Sequence, residues 1–358
     1  MQKTTTALAT PLREQLDRLA AFEPADAPVL SLYLDMKVDE QGRPRYDSFL
    51  RKAWHDRGRA LQGAARKSFD RDTERINTYL ANEIPRSVHG LAVFACAAAD
   101  DYFEAVQLDP PIDQNWLFIG SVPHLYPLAR LNDQYPRYAA LLVDTNSARL
   151  FVFHLGHAQV TQVNNLKTRR TSMGGSAQAR FQRHNENLHL HHMKEVVEVL
   201  DRVVREEVIS QVVVACDEVA KPLLMDQLPK HLADKVVDVL KLDINTPVER
   251  VLSETMDALR EKDAETDASK VEAMLDGWRG NGLGVAGPED TRKALEMGQV
   301  EELLITSQNL ERMDEKAVEQ ANEFVTKAQQ SAARIRFIED PDLLADVGGV
   351  GALLRFKI

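Results

Sequence analysis

The chain has only two cysteines in 358 residues, too few for a disulfide framework. Both Cys96 and Cys216 fall in apolar stretches and read as small core residues of a protein kept in a reducing compartment. No segment approaches the about 18 consecutive apolar residues of a membrane span. The polar start Met1-Gln-Lys-Thr-Thr-Thr6 lacks the charged-then-apolar pattern of a secretory signal, so a cytoplasmic protein with no membrane partner is expected. Internal repeats and low-complexity tracts are missing, and a chain of this length has material for two or three domains with proper cores.

Several chemistries also lack their signatures. No Ser/His/Asp ordering proposes a catalytic triad. The glycine-rich segment from Gly277 to Gly287 is not followed by the Lys-Ser/Thr of a phosphate-cradling loop and reads as a link between domains. His184, His189, His191 and His192 fall on several sides of one helix without a matching cysteine or carboxylate pattern, so no metal is expected, and no cofactor either. The net charge of −11 argues against indiscriminate coating of nucleic acid, and no DNA partner is expected. The charge is uneven, however. Ten cations from Arg43 to Arg75 crowd one N-terminal stretch, which is either a solvated helix face laced with local ion pairs or an RNA contact. The segment from Asp257 to Asp276 is mostly acidic, which suits a protein partner.

Periodicity outlines an α/β protein. Val29 to Leu34 and Gly90 to Cys96 read as buried strands, separated by a polar helical region from Ser48 to Asn82. Ala139 to Val143, Arg149 to Phe153 and Gln159 to Val163 read as three strands punctuated by Asp144-Thr-Asn-Ser147 and Gly156. From Ser176 to about Glu207 there is no Pro or Gly. Phe181, Leu188, His192, Val196, Val199, Leu200 and Val203 recur there as one buried helix stripe. Further on, Pro288 or Glu289 to Met297 predicts a helix ended by Gly298, followed by a strand from Val300 to Thr306. Asp314 opens another helix, Arg334 to Ile338 reads as a strand, and Gly348-Gly349 forms a turn before the last strand.

Between the three-strand segment and the long helix lies Gly174-Gly175-Ser176. Lys167, Arg169 and Arg170 lead into it, and Arg180 and Arg183 leave it. Paired glycines permit close backbone approach, and cations that neutralise phosphates gain affinity without reading sequence. These residues are the candidate rRNA-binding tip.

The run Gly174-Gly175-Ser-Ala-Gln-Ala-Arg180-Phe181 resembles the Gly-Gly-Gln loop and helix start of the archaeo-eukaryotic peptide-chain release factors. Their relative Pelota and a bacterial branch that includes the hibernation factor Balon belong to the same family. Gly287-Pro-Glu-Asp-Thr-Arg-Lys-Ala-Leu-Glu-Met-Gly298 and Gly348 to Phe356 resemble the family's third domain. The resemblance covers most of the chain. It implies three α/β domains: 1–135, like a decoding-site domain; 136–276, a mixed sheet with the tip loop and long helix; and 277–358, an α/β/α L7Ae-like sandwich that docks a translational GTPase. Its Asn-Ile-Lys-Ser and Tyr-x-Cys-x-x-x-Phe decoding motifs are missing, and where the second should fall the chain has Trp116 and Phe118.

Ser176 stands where the family's catalytic Gln stands. A serine is shorter and brings a hydroxyl in place of an amide, so the same positioning of water is not expected. No catalytic residue is therefore assigned; a hydrolase would use Gly174, Gly175 and either Ser176 or Gln178. The resemblance implies a factor that occupies the ribosomal A site, touching rRNA of both subunits, without reading a codon. The resemblance further implies a role in hibernation, with elongation factor Tu as the GTPase partner. The alternative is a peptidyl-tRNA hydrolase that rescues stalled ribosomes.

Overall fold

A computed structural model describes residues 12–24, 27–39, 42–85, 88–108, 110, 112–154, 157–164, 176–308 and 313–357. The N-terminal region runs α1 (Leu12–Ala20), β1 (Val29–Asp35), α2 (Tyr46–Ala60), α3 (Gly63–Asn82), β2 (Gly90–Cys96), β3 (Tyr102–Leu108), β4 (Trp116–Gly120) and α4 (Tyr126–Gln134). The middle region runs β5 (Tyr138–Val143), β6 (Ser147–His154), β7 (His157–Asn164), α5 (Ser176–Glu206), β8 (Gln211–Cys216), α6 (Ala220–Met225), α7 (Lys230–Ala233), β9 (Val236–Leu240) and α8 (Val248–Arg279). The C-terminal region runs β10 (Gly284–Ala286), α9 (Pro288–Glu296), β11 (Val300–Thr306), α10 (Glu315–Gln330), β12 (Arg334–Ile338), a 3-10 turn (Pro341–Val347) and β13 (Val350–Leu354).

Each region builds its own sheet, in the orders β3-β2-β1-β4, β7-β6-β5-β8-β9 and β10-β13-β11-β12. The first is antiparallel throughout. The second is mixed: β5, β6 and β7 form an antiparallel meander, while β8 runs parallel to both β5 and β9. In the third, β11 is parallel to β12 and antiparallel to β13. The fold is thus a multi-sheet α/β architecture. By compactness the chain divides into two units, 135–266 on the one hand and 1–134 with 267–358 on the other.

Within the first sheet Leu30, Leu32 and Leu34 face Leu50, Phe69 and Ile76 of α2 and α3. Tyr33, on the other face, meets Phe94 and Phe118 edge-on. Burial on both faces explains why β1 shows no polar alternation. The third sheet has Val271 and Met274 of α8 and Leu344 of the 3-10 turn on one side, with α9 and α10 on the other, giving an α/β/α sandwich. Gly298 closes α9 at φ 65°, in the left-handed conformation that a C-terminal glycine supplies.

The segment 277–287 is not a linker. Helix α8 continues to Arg279, and Gly284 to Ala286 pair with Gly351 to Leu353 as an edge strand. The glycines serve close packing here: a Cβ on Gly284 would lie 2.2 Å from the Met274 carbonyl and 2.7 Å from the Trp278 nitrogen.

Candidate functional site

The middle sheet carries the tip segment. Asp144 Oδ1 accepts from the amides of Asn146 and Ser147, each at 2.7 Å, which closes the turn between β5 and β6. Alternate residues of the sheet, Ala139, Leu141, Val143, Leu150, Val212 and Val214, share one buried cluster with Met193, Val196, Val197, Leu200 and Val204 of α5. The opposite face packs Tyr138, Leu142, Phe151 and Phe153 with Val251, Met256 and Leu259 of α8. The Nδ1 of His189 lies 2.8 Å from the Thr145 carbonyl and ties α5 to the turn.

Of the predicted site residues, Lys167, Arg169, Arg170, Gly174 and Gly175 lie outside the described residues. Ser176, Gln178, Arg180 and Arg183 belong to the opening turns of α5, which starts at Ser176 itself. At about 100° per residue, positions 176, 180 and 183 fall along one helical stripe, whereas 178 falls about 200° around the axis from 176. The described part of the predicted stripe holds, with His192 and Leu200 fully buried, and it widens to Met193, Val197 and Val204.

His189, His191 and His192 do not converge. His189 is engaged by Thr145, His191 lies 3.3 Å from Glu195, and both nitrogens of buried His192 lack a hydrogen-bond partner. No group of three or more potential ligands that could hold a metal occurs among the described residues.

The N-terminal cations divide into two sets. Arg66 binds Asp70 at 2.8 Å and the Gly58 carbonyl at 2.5 Å, and Arg71 pairs with Asp101 at 2.5 Å. Arg75 donates to the Asp101 carbonyl and lies over the Phe103 ring. By contrast, Arg51, Lys52, Arg57 and Arg59 of α2 are exposed and, among the described residues, carry no ion pair. Arg51 and Arg59 lie about two turns apart on α2, which presents these cations to solvent. That charge is available to an anion; the charge of Arg66 and Arg71 is already matched.

A cavity of about 430 Å³ opens beside the paired set, lined by Arg71, Asp72, Glu74, Arg75, Thr78, Ala97 and Asp101. Burial pushes the Asp72 carboxyl up to about 6, against the pull of the Ala97 amide and Ser68. Arg71 and Arg75 face three carboxylates there, Asp72, Glu74 and Asp101, so the lining offers no surplus of positive charge to an anion.

Trp116 and Phe118 take a structural part. Their rings stack at 5.9 Å, and Phe118 stacks in turn on His124 at 3.7 Å. Burial lowers His124 to about 3, so it is neutral in this stack.

Sequence reasoning missed a set of polar residues that tie the first and third sheets into one unit. Asn322 of α10 accepts from the Leu125 amide at 2.6 Å and donates to the Pro123 carbonyl at 3.3 Å. Tyr126 reaches the Gln308 backbone, and its ring meets Phe337 edge-on at 5.3 Å. Arg336 bridges Asp267 at 2.6 Å and Asp133 at 3.6 Å. The signal that pointed there is an Asn, with Thr326 one turn further on, in a helix stripe that is mostly apolar.

The model for bacterial archaeo-eukaryotic release factor family 10 matches residues 123–260, and the model for eRF1 domain 3 matches residues 264–358. Both segments are thus similar to archaeo-eukaryotic release factors. Peptide chain release factor subunit 1 of Aeropyrum pernix is 29% identical over 205 residues, which make up 52% of each protein. The chain therefore spans about half the length of this curated relative. Among solved structures, the archaeal translation termination factor aRF1 is 20% identical, with 96% of this chain and 97% of that one covered and a TM-score of 0.28. S. cerevisiae Dom34, described as interacting with Hbs1, is 11% identical over 75% of this chain and 80% of its own, with a TM-score of 0.43.

Proposed function

We propose that this chain is a ribosome-associated translation factor that occupies the A site without reading a codon, as a Balon-like hibernation factor acting in the cytoplasm with elongation factor Tu. The observation that carries this reading is Ser176 at the first position of α5, directly behind Gly174-Gly175, on the strand meander of a chain similar to the release factors. The scaffold that extends a loop is kept, while the side chain that the resemblance requires for hydrolysis is replaced. The unpaired cations of α2 support an rRNA contact at the decoding end, since each phosphate neutralised there releases counterions. On this reading Lys167, Arg169, Arg170, Arg180 and Arg183 hold the tip against rRNA, and residues 277–358 dock the GTPase.

Cosedimentation with vacant 70S ribosomes, with and without elongation factor Tu and without mRNA or tRNA, tests it. Stoichiometric binding is expected, and Arg169→Ala/Arg170→Ala/Arg180→Ala is expected to abolish it. Full retention by that triple variant would sink the tip contact. Binding restricted to complexes carrying peptidyl-tRNA would favour the rival enzyme, a hydrolase using Gly174, Gly175 and Ser176 or Gln178. Ser176 and Gln178 both lie in the first turn of α5, with Gln178 about 200° around the axis from Ser176. Release of labelled peptide from stalled complexes, abolished by Gly175→Ala, would establish it.

A further inference from the structure

One end of the C-terminal sheet gathers large apolar side chains in solvent. Trp278, Leu283, Met297 and Phe356 are 43%, 50%, 53% and 46% exposed. The strand register brings their backbones together. The Leu354 amide donates to the Leu283 carbonyl at 3.1 Å and the Arg355 amide to the Gln299 carbonyl at 2.8 Å. Phe356 therefore leaves the sheet beside the residues that follow Met297 and those that precede β10. The Gly282 amide donates to the Gly277 carbonyl at 2.6 Å, which folds the end of α8 back onto β10 and sets Trp278 beside Leu283 in space. Most large side chains of the chain are buried, so four half-exposed ones at a single sheet end mark a surface for a partner rather than scattered exposure.

The charges around this end have one sign to spare. Arg355 donates to the Ala332 carbonyl at 2.8 Å, and Lys357 to the side-chain and backbone oxygens of Asn281. Neither cation is neutralised by a carboxylate in these bonds. Glu296, the nearest acid on α9, is taken by Lys327 at 2.7 Å. An apolar centre with a cationic rim, on a chain of net charge −11, selects the opposite rim on its partner.

We propose that Trp278, Leu283, Met297 and Phe356, rimmed by Arg355 and Lys357, dock a protein segment whose large apolar side chains are flanked by carboxylates. The aromatic pair provides anchors that bury much area at low entropic cost, and the cations steer the acidic flanks. Leu283 and Met297 bring no hydrogen-bonding group able to read a base edge, which favours protein over RNA on this face. The inference sharpens the docking role proposed for residues 277–358 and rests on it; ribosome cosedimentation tests the wider reading, and the selection below tests this surface, so the two fail separately.

The full-length chain is used as bait for a random peptide library, with the Leu283→Glu chain as the depletion target. Enriched peptides are expected to combine large apolar residues with Asp or Glu. A synthetic representative is expected to bind about tenfold more weakly or worse to Leu283→Glu and, as a second exposed position, to Met297→Glu. No enrichment, or peptides that bind both variants as well as wild type, would overturn the proposal. So would loss of short oligouridine binding on the same two substitutions, which would make the face a nucleic-acid contact.

Discussion

The middle sheet and the junction between the first and third sheets solve the same problem with different chemistry. Around the middle sheet, both faces are sealed mainly by aliphatic and aromatic side chains, with few buried polar contacts among them, such as Tyr138 with Thr255 at 2.7 Å. Within the other unit, α4 meets α10 and β12 through Asn322, Tyr126 and Arg336, each of which makes directional bonds to named backbone or carboxylate groups. Apolar packing tolerates repacking at similar volume. Buried directional bonds admit one arrangement and leave unpaired groups in any other. The difference teaches that the middle unit is held by bulk burial, whereas the terminal regions are joined by specification.

The largest effect is expected where bulk burial is cut. Leu200→Ala removes a fully buried side chain from the α5 face of the middle sheet and is expected to cost about 4 kcal/mol in denaturant unfolding. Hydrogen exchange should quicken in β5 and β8, while volume-conserving Leu200→Met costs less than about 1.5 kcal/mol. An equal loss from both would break the contrast.

Arg336→Met should come next, at about 3 kcal/mol, because buried Asp267 and partly buried Asp133 would both lose the Arg336 guanidinium. Adding Asp133→Asn and Asp267→Asn is expected to recover part of that loss. Simple additivity in this cycle would show that the three groups do not act as a cluster.

Asn322→Ala should cost about 2 kcal/mol by leaving the Leu125 amide and the Pro123 carbonyl unpaired in a buried site. The checking measurement is amide exchange at Leu125 and Tyr126, which should rise far more than exchange in β1. Unchanged protection at those two amides would sink the clamp.

The smallest effect is a gain. Asp72 titrates in the fold at about 6, above its ordinary 3.8, because burial disfavours its charged form. Its neutral form is thus the stabilising one: the contribution is full below about pH 4 and is lost as pH rises through 6. Asp72→Asn should stabilise by no more than about 2 kcal/mol at pH 8 and by nothing near pH 4. Stabilisation that does not vary with pH would refute burial as the cause.

The strands from Val29, Gly90, Val300 and Arg334, and the helices from Ser176 and Asp314, were legible because periodicity and caps are local. Asp314 indeed accepts from the Ala317 amide at 2.7 Å, as an N-cap should. The segment after Gly277 was misread because its glycines serve a close approach between α8 and β10, and glycine looks the same in a linker and in a tight packing site. The sequence of the basic N-terminal stretch fits both a self-paired helix face and an RNA contact. Only partners distant in sequence, Asp101 for Arg71 and Phe103 for Arg75, separate the matched cations from the exposed cations of α2.

By itself, the sequence determined the α/β class, the long helix behind Gly174-Gly175, and the buried places of Cys96 and Cys216. These follow from side-chain type and spacing along a few turns. Tertiary structure alone decided which charges remain unpaired, that Asn322 joins α10 to the start of α4, and that Trp278, Leu283, Met297 and Phe356 meet at one end of a sheet. Their neighbours lie far away along the chain, and only strand register and helix packing bring such groups within reach of one another.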